Sequence, residues 1–329
     1  MINLKELSSE LKNLIDNSNS IAVASHLNPD GDNLGSATAM LGMLNKLGKN
    51  PVFILDDSVP SHFKFLPNLS YSKSPENIDE DFDLFIALDS SDEDRMGDRV
   101  KEIFNKSKKT VNIDHHFSNK NYADLNIVDE NSPATCEVLA RIFKYLNLQL
   151  DKEIATSLFT GLSTDTGSFK YSSVSSKTFE IASDLFKYDI DINEVTQNVY
   201  QSRSRQKTDL LIRAMNSIEY FDKDKIAVVI VTKEDIEKTK AAKSDADGIV
   251  EFVRDIDTVE LAVLLKEKDD CIRLSLRSKS YVDCTKIASK FNGGGHIRAS
   301  GGTINHTDIK KAKKDLVEVA EEELWLMVS

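Results

Sequence analysis

The sequence is poor in several things that would otherwise direct its reading. Only three cysteines occur in 329 residues, Cys136, Cys271 and Cys284. Their spacing fits no thiolate metal site, and so few suit a reducing, cytoplasmic compartment. No apolar run reaches the about 18 residues of a membrane span. The first twenty residues mix Lys5, Glu6, Glu10, Lys12 and Asp16 into a stripe of Leu4, Leu7, Leu11 and Leu14. That pattern is an amphipathic helix and not a cleavable leader. Positive charge is also short: 42 Lys and Arg stand against 54 Asp and Glu, a formal net charge of −12. A field of that sign disfavours long polyanions and stable duplex binding, since both depend on many phosphate contacts. It leaves open a small phosphorylated ligand held by a local cationic pocket. Internal repeats and low-complexity segments are absent.

What is present is a soluble globular composition, 40% hydrophobic and 29% charged, with length enough for two domains. Ile21–Ser25 reads as a buried strand, followed by a turn rich in Pro, Gly and Asp and then a helix carrying Leu34, Ala37, Leu41 and Leu44. Further strands are expected at Pro51–Leu55, at Asp83–Asp89 and in the run ending at Asp114. Ser132 and Pro133 suit the N-cap and N1 of a helix reaching about Leu146. Another helix from about Asp151 runs toward Asp165. This alternation argues an α/β fold with a parallel sheet over residues 1–188. Residues 189–217 read as a helical linker. Residues 218–329 form a smaller α/β domain, with strands at Ile226–Val231, Val259–Lys266 and Cys271–Leu276 and helices over roughly Ala246–Ile256, Cys284–Phe291 and Asp308–Leu326.

Two of only six histidines stand side by side in Val111-Asn112-Ile113-Asp114-His115-His116, where an apolar run ends in a carboxylate and two imidazoles. Chemistry in α/β domains sits at the carboxyl ends of strands. A third histidine opens His26-Leu27-Asn28-Pro29-Asp30-Gly31-Asp32, on a loop leading into a helix N-terminus. Asp89 ends another strand, and Asp165 lies within Gly161-Leu162-Ser163-Thr164-Asp165-Thr166-Gly167. Taken singly, Asp30-Gly31-Asp32 is an ordinary turn and Asp165 an ordinary Asx-turn residue. Together, Asp30, Asp32, Asp89, Asp114 and Asp165 are too many carboxylates for one site unless cations neutralise them. Two divalent cations do so, and a pair about 3.5–4 Å apart is a known device for displacement at phosphorus. Asp89, on a rigid strand end, suits a bridging role.

The four segments around His26, Asp89, Asp114-His115-His116 and Asp165 resemble the motifs of the DHH phosphoesterase superfamily, over residues of about 20–170. The resemblance implies that His26, Asp30 and Asp89 hold one Mn²⁺. It implies that Asp32, Asp89, His115 and Asp165 hold a second, with Asp89 shared; Mg²⁺ is compatible with the same donors. His116 would contact the scissile phosphate or act as general acid, and Asp114 would orient an imidazole from behind.

A second stretch, Phe291-Asn292-Gly293-Gly294-Gly295-His296-Ile297-Arg298-Ala299-Ser300-Gly301-Gly302, combines consecutive glycines with His296 and Arg298. A glycine loop can bring backbone N–H groups close to an anion, and Arg recognises phosphate bidentately. Arg273, Arg277, Lys279, Lys286 and Lys290 add local positive charge. The stretch resembles the Gly-Gly-Gly-His signature of the domain that follows many DHH domains, with Asn292 where a further glycine is frequent. Asn tolerates positive φ, so the turn is expected to survive. By resemblance, Arg277, Gly294, Gly295, His296 and Arg298 bind the substrate.

The combination is similar to the nanoRNase and pAp phosphatase branch of the superfamily. The implied substrates are short RNA or DNA oligonucleotides, of about two to five nucleotides for RNA, and pAp. A homodimer is compatible with that reading. The implied alternatives are a soluble phosphodiesterase for linear or cyclic dinucleotides and, outside enzymes, a nucleotide-sensing module.

Overall fold

The apolar runs that interrupt the charged N-terminal half become the middle of a sheet. The computed structural model describes residues 2–328. The chain divides into two compact units, with the boundary between Ser202 and Arg203.

In chain order, the first unit contains α1 (Leu4–Asp16), β1 (Ile21–Ser25), α2 (Gly31–Lys46), β2 (Val52–Ile54), β3 (Ser72–Lys73), β4 (Leu84–Leu88) and α3 (Asp98–Lys106). It continues with β5 (Thr110–Asp114), β6 (Leu125–Val128), α4 (Thr135–Tyr145), α5 (Lys152–Asp165), α6 (Ser176–Leu185) and α7 (Ile192–Tyr200). Its six strands lie in the order β3-β2-β1-β4-β5-β6, and every pair is parallel. β1, β4 and β5 are buried along their whole length, because helices cover both faces. Val23, Ile86 and Ile113 pack with Leu34, Val138 and Leu158 on one face. Ala22, Phe85 and Ala87 pack with Val100, Ile103 and Phe104 on the other. The strand order reverses between β1 and β4, and in open α/β sheets the crevice beyond the carboxyl ends at such a point is where ligands bind.

Several elements escape the sequence pattern. β3 and β6 are short edge strands, and α3 offers only Val100, Ile103 and Phe104 as buried positions. One expectation is corrected: Ser132 and Pro133 do not start a helix. α4 begins at Thr135, and the Ser132 hydroxyl instead donates to the Ala134 carbonyl. The N–H groups of Thr135 and Cys136 are taken by the Asp32 carboxylate, from α2. A remote acceptor thus replaces the local cap.

The second unit contains α8 (Arg205–Asn216), β7 (Glu219–Phe221), β8 (Ile226–Val231), α9 (Lys233–Thr239), α10 (Ile249–Arg254) and β9 (Leu261–Glu267). Then come β10 (Ile272–Ser278), α11 (Cys284–Ser289), β11 (Gly294–His296), β12 (Ala299–Ile304) and α12 (Ile309–Val328). Its sheet runs β11-β12-β10-β9-β8-β7, parallel between β8 and β9 and antiparallel elsewhere. Residues 189–217 are helical, but each part joins a core. Val195 of α7 belongs to the first unit's core, and Leu210 and Ala214 of α8 to the second's. Among the described residues, no helix is long and apolar enough to cross a membrane.

The glycine-rich stretch is a hairpin, β11 and β12, and not an open loop. Asn292 takes φ of +49° at its entry. A Cβ on Gly293 would overlap the Gly301 carbonyl of the facing strand, so close backbone approach is what requires glycine there.

Candidate metal centre

Each candidate side chain sits where an element starts or stops. His26 follows β1, Asp89 follows β4, and Asp114 closes β5 with His115 and His116 just beyond. Asp30 is the N-cap of α2: its Oδ1 accepts from the N–H groups of Asp32 (3.1 Å) and Asn33 (3.0 Å). Asp32 lies in the first turn of α2, and Asp165 is the last residue of α5. Asp89 adopts a left-handed backbone, φ +52°, which Asp tolerates better than most residues. α2 and α5 approach closely. A Cβ at Gly161 would overlap the Cys136 sulfur and come within 2.8 Å of Asp32 Oδ1. The glycine in the Gly161–Gly167 segment therefore makes room for Asp32.

The structure brings six of these residues together around Asp89. His26 Nε2 lies 3.4 Å from Asp89 Oδ2 and 3.8 Å from Asp30 Oδ2. His115 Nε2 lies 3.2 Å from Asp165 Oδ2, 3.6 Å from Asp89 Oδ1 and 3.9 Å from Asp32 Oδ2. Three sets of donor atoms each fall within 4.8 Å of one another: His26, Asp30 and Asp89; Asp32, His115 and Asp165; and Asp89, His115 and His116. Both ligand-type imidazoles are oriented from behind. His26 Nδ1 donates to the Leu27 carbonyl at 2.7 Å, and His115 Nδ1 donates to the Ser132 carbonyl at 3.2 Å. Each ring then presents Nε2 to the carboxylates, the arrangement usual for metal-bound histidine.

His115 Nε2 is buried and makes no hydrogen bond, although three carboxylates surround it. A divalent cation would satisfy that nitrogen and the carboxylates at once, and an oxygen-plus-imidazole donor set suits Mn²⁺ or Mg²⁺. The electrostatics point the same way. Burial, with the charges of Asp89 and Asp165, lifts the Asp32 carboxyl well above the usual range. Burial also pushes Asp89 upward, yet the hydrogen bond from His26 and the charges of His115, His26 and His116 hold it down to about 2. His115 is opposed by burial and lifted to about 10 by Asp165, Asp32 and Asp89. The crowded carboxylates thus favour protons on His26 and His115, and a bound cation would take the place of those protons.

Asp114 is fully buried and faces His116. Its Oδ1 accepts from His116 Nδ1 at 2.7 Å, and its Oδ2 from Asn119 Nδ2 at 2.6 Å. Sequence reasoning missed several contributors. Thr135 donates its N–H to Asp32 Oδ2 (2.6 Å) and its hydroxyl to Asp89 Oδ1 (3.0 Å). The Ser132 carbonyl orients His115, and Asn112 and Asn119 stand behind Asp114. Asn112 left a readable signal, an amide between the apolar Val111 and Ile113 of β5. Thr135 left none, because its partners are 46 and 103 residues away.

In the second unit, His296 of β11 faces Ala299 of β12, which faces Arg277 of β10. His296, Arg298, Gly294 and Gly295 are exposed. Arg277 Nε donates to Glu251 Oε1 (2.9 Å), so this cation is already paired. Arg298 Nη1 donates to the Val282 carbonyl at 2.8 Å. The turn carrying Val282 is held from beneath by Glu260, 5% exposed, whose carboxylate accepts the N–H groups of Ser280, Tyr281 and Val282. Burial opposes ionisation of Glu260, but those N–H groups and the Ser280 hydroxyl hold its carboxyl below the usual range.

Two family models match the sequence: the DHH family, N-terminal domain, over residues 20–162, and the DHHA1 domain over residues 223–325. The bifunctional oligoribonuclease and PAP phosphatase NrnA of Thermus thermophilus is 29% identical over 305 residues, 92% of this chain and 90% of the relative. The uncharacterized protein MJ0988 of Methanocaldococcus jannaschii is 30% identical over 318 residues, 89% of this chain and 90% of that one. Among solved structures, an exopolyphosphatase-related protein from Bacteroides fragilis is similar with a TM-score of 0.91 at 25% identity, over 99% of this chain and 98% of that chain.

Proposed function

The chain belongs to the DHH family and carries a DHHA1 domain, and from that premise we propose a divalent-metal-dependent phosphoesterase. It hydrolyses very short oligoribonucleotides to mononucleotides and removes the 3′-phosphate of pAp. The observation that carries this reading is the buried His115 Nε2, which makes no hydrogen bond yet faces three carboxylates beside the reversal point of the sheet. The name of the Thermus thermophilus relative supports the choice of substrates.

His26, Asp30 and Asp89 would hold one cation, and Asp32, His115 and Asp165, again with Asp89, would hold the other. We take both to be Mn²⁺, with Mg²⁺ as the substitute. The chemistry such cations supply is positive charge on the transferred phosphoryl group and a bound water of lowered pKa. Thr135 keeps the Asp89 carboxylate in place through its hydroxyl, and the α4 N-terminus does the same for Asp32. His116, its Nδ1–H held by Asp114, keeps Nε2 for the leaving oxygen of the ester. Arg298, His296, Gly294 and Gly295 receive the terminal phosphate or nucleotide, with Arg277 behind them. The net charge of −12 argues for one anchored end and not a long strand.

One panel tests this: pAp, pApA, a 3-mer and a 24-mer RNA, each with Mn²⁺, with Mg²⁺ and with chelator. The expected result is metal-dependent hydrolysis, faster per end on the 3-mer than the 24-mer, with pAp competing against pApA. Equal rates per end on both RNAs, or turnover surviving chelation, would overturn it.

A further inference from the structure

A row of two amides, Asn112 fully buried and Asn119 half-buried, runs behind the second histidine. Asn112 lies at the centre of β5 and is fully buried. Its Nδ2 donates to the Ser90 carbonyl (3.1 Å) and the Tyr122 hydroxyl (3.1 Å), and its Oδ1 accepts from Asn119 Nδ2 at 2.7 Å. The same Asn119 Nδ2 donates to Asp114 Oδ2 at 2.6 Å, and Asp114 Oδ1 accepts from His116 Nδ1 at 2.7 Å. Neither amide has freedom to flip. Asn119 Oδ1 accepts from the Asn121 N–H at 2.7 Å, so its NH₂ must face Asp114 and Asn112. The Asn119 N–H also closes a turn on the His116 carbonyl, at 3.1 Å. One residue therefore ties both the backbone leaving His116 and the carboxylate facing its ring.

We propose that Asn119, backed by Asn112, is a positioning residue for His116: it locks the Asp114 carboxylate so that the imidazole holds Nδ1–H inward and turns Nε2 toward the reacting ester. The inference rests on the phosphoesterase reading. In the step it serves, water oxygen bonds to phosphorus as the ester P–O bond breaks. The electron pair stays on the leaving oxygen, which takes a proton from His116 Nε2. The imidazole regains a proton from solvent, and the proton lost by the attacking water goes to solvent. A ribose oxygen needs that proton, whereas p-nitrophenolate is stable as an anion and leaves without it. Disturbing the row should therefore penalise the two leaving groups unequally, which a general loss of structure would not do.

The test compares wild type with Asn119→Asp, which sets a carboxylate of equal size against Asp114, and with Asn119→Ala. Each is assayed on pApA and on bis-p-nitrophenyl phosphate, with metal content and melting temperature alongside. The ratio of kcat on pApA to kcat on the activated ester should fall about 10- to 100-fold, the usual range for residues behind a metal or catalytic ligand. KM and metal content should hold. Nitrogen-15 imidazole NMR of the metal-free proteins supplies a readout independent of turnover: a slowly exchanging His116 Nδ1–H in wild type, lost in Asn119→Asp. An unchanged ratio in both variants, or an undisturbed His116 signal, would overturn the inference. If wild type cleaves neither ester, the phosphoesterase reading fails, and the NMR comparison still decides whether Asn119 positions His116.

Discussion

The two units hold their functional side chains in opposite ways. In the first, the central polar groups are buried and over-determined: Asp89 is 2% exposed and faces His26, His115, His116 and the Thr135 hydroxyl. In the second, His296 and Arg298 stand exposed on a hairpin, and Arg298 is held through a turn that Glu260 supports. Largely buried, charge-dense surroundings suit bond making and breaking, where preorganisation counts most. An exposed basic edge suits recognition of a phosphate that must arrive and leave. The difference supports the proposed division of labour, which can be broken experimentally.

The largest effect should come from Asp89→Ala, because Asp89 faces both sets of ligands. Hydrolysis should fall on the order of 10³-fold or more. Metal content, expected near two per chain in wild type, should drop at both sites. Asp165→Ala should lose hydrolysis too, but retain metal at the His26 site. Full activity in a metal-free Asp89→Ala protein would end the comparison, since the first unit would then not be the chemical one. Elemental analysis of the purified variants, with pAp turnover, reads both.

Arg298→Ala should sharpen the contrast. Losing one charge-assisted contact to phosphate, about 1–3 kcal/mol, raises KM for pAp roughly 5- to 150-fold while metal content stays at the wild-type value. Wild-type binding and cleavage of pAp by this variant would remove the hairpin from the nucleotide site.

Glu260→Gln should act on stability, and by less. The folded-state carboxyl of Glu260 lies below its ordinary value. Its contribution is therefore complete above the unfolded pKa of about 4.3 and fades as pH falls through the folded value. The substitution should lower stability by about 2 kcal/mol at pH 7 and by progressively less below pH of about 4. Thermal melts of both proteins at pH 7 and pH 3.5 test this; a gap that widens in acid would contradict the sign.

Much of the candidate site was legible because its signals are local. Apolar runs ending at Ser25, Leu88 and Asp114 mark strand ends, and the Asp30-Gly31-Asp32 turn leads into a helix with Asp30 as its cap. The glycine stretch was legible as a special backbone but not as a hairpin, because the reason for glycine at Gly293 is a carbonyl on the facing strand. Ser132 and Pro133 misled for the same kind of reason. Local chemistry favoured a cap there, while Asp32, 103 residues from Thr135 in sequence, supplied it from α2.

The sequence by itself determined the α/β class, the two-part organisation and the short set of histidines and aspartates worth testing. Strand propensity, helix periodicity and turn chemistry act over a few residues, and those features need no more. Only the tertiary structure decided that donor atoms from two helices and three strand ends gather into three sets of three, each set within 4.8 Å. It alone made Thr135, Asn112 and Asn119 part of the site. The physical reason is that a buried carboxylate or amide must find its partners wherever the packed chain offers them, and distance along the chain has no bearing on which atoms come within hydrogen-bonding reach.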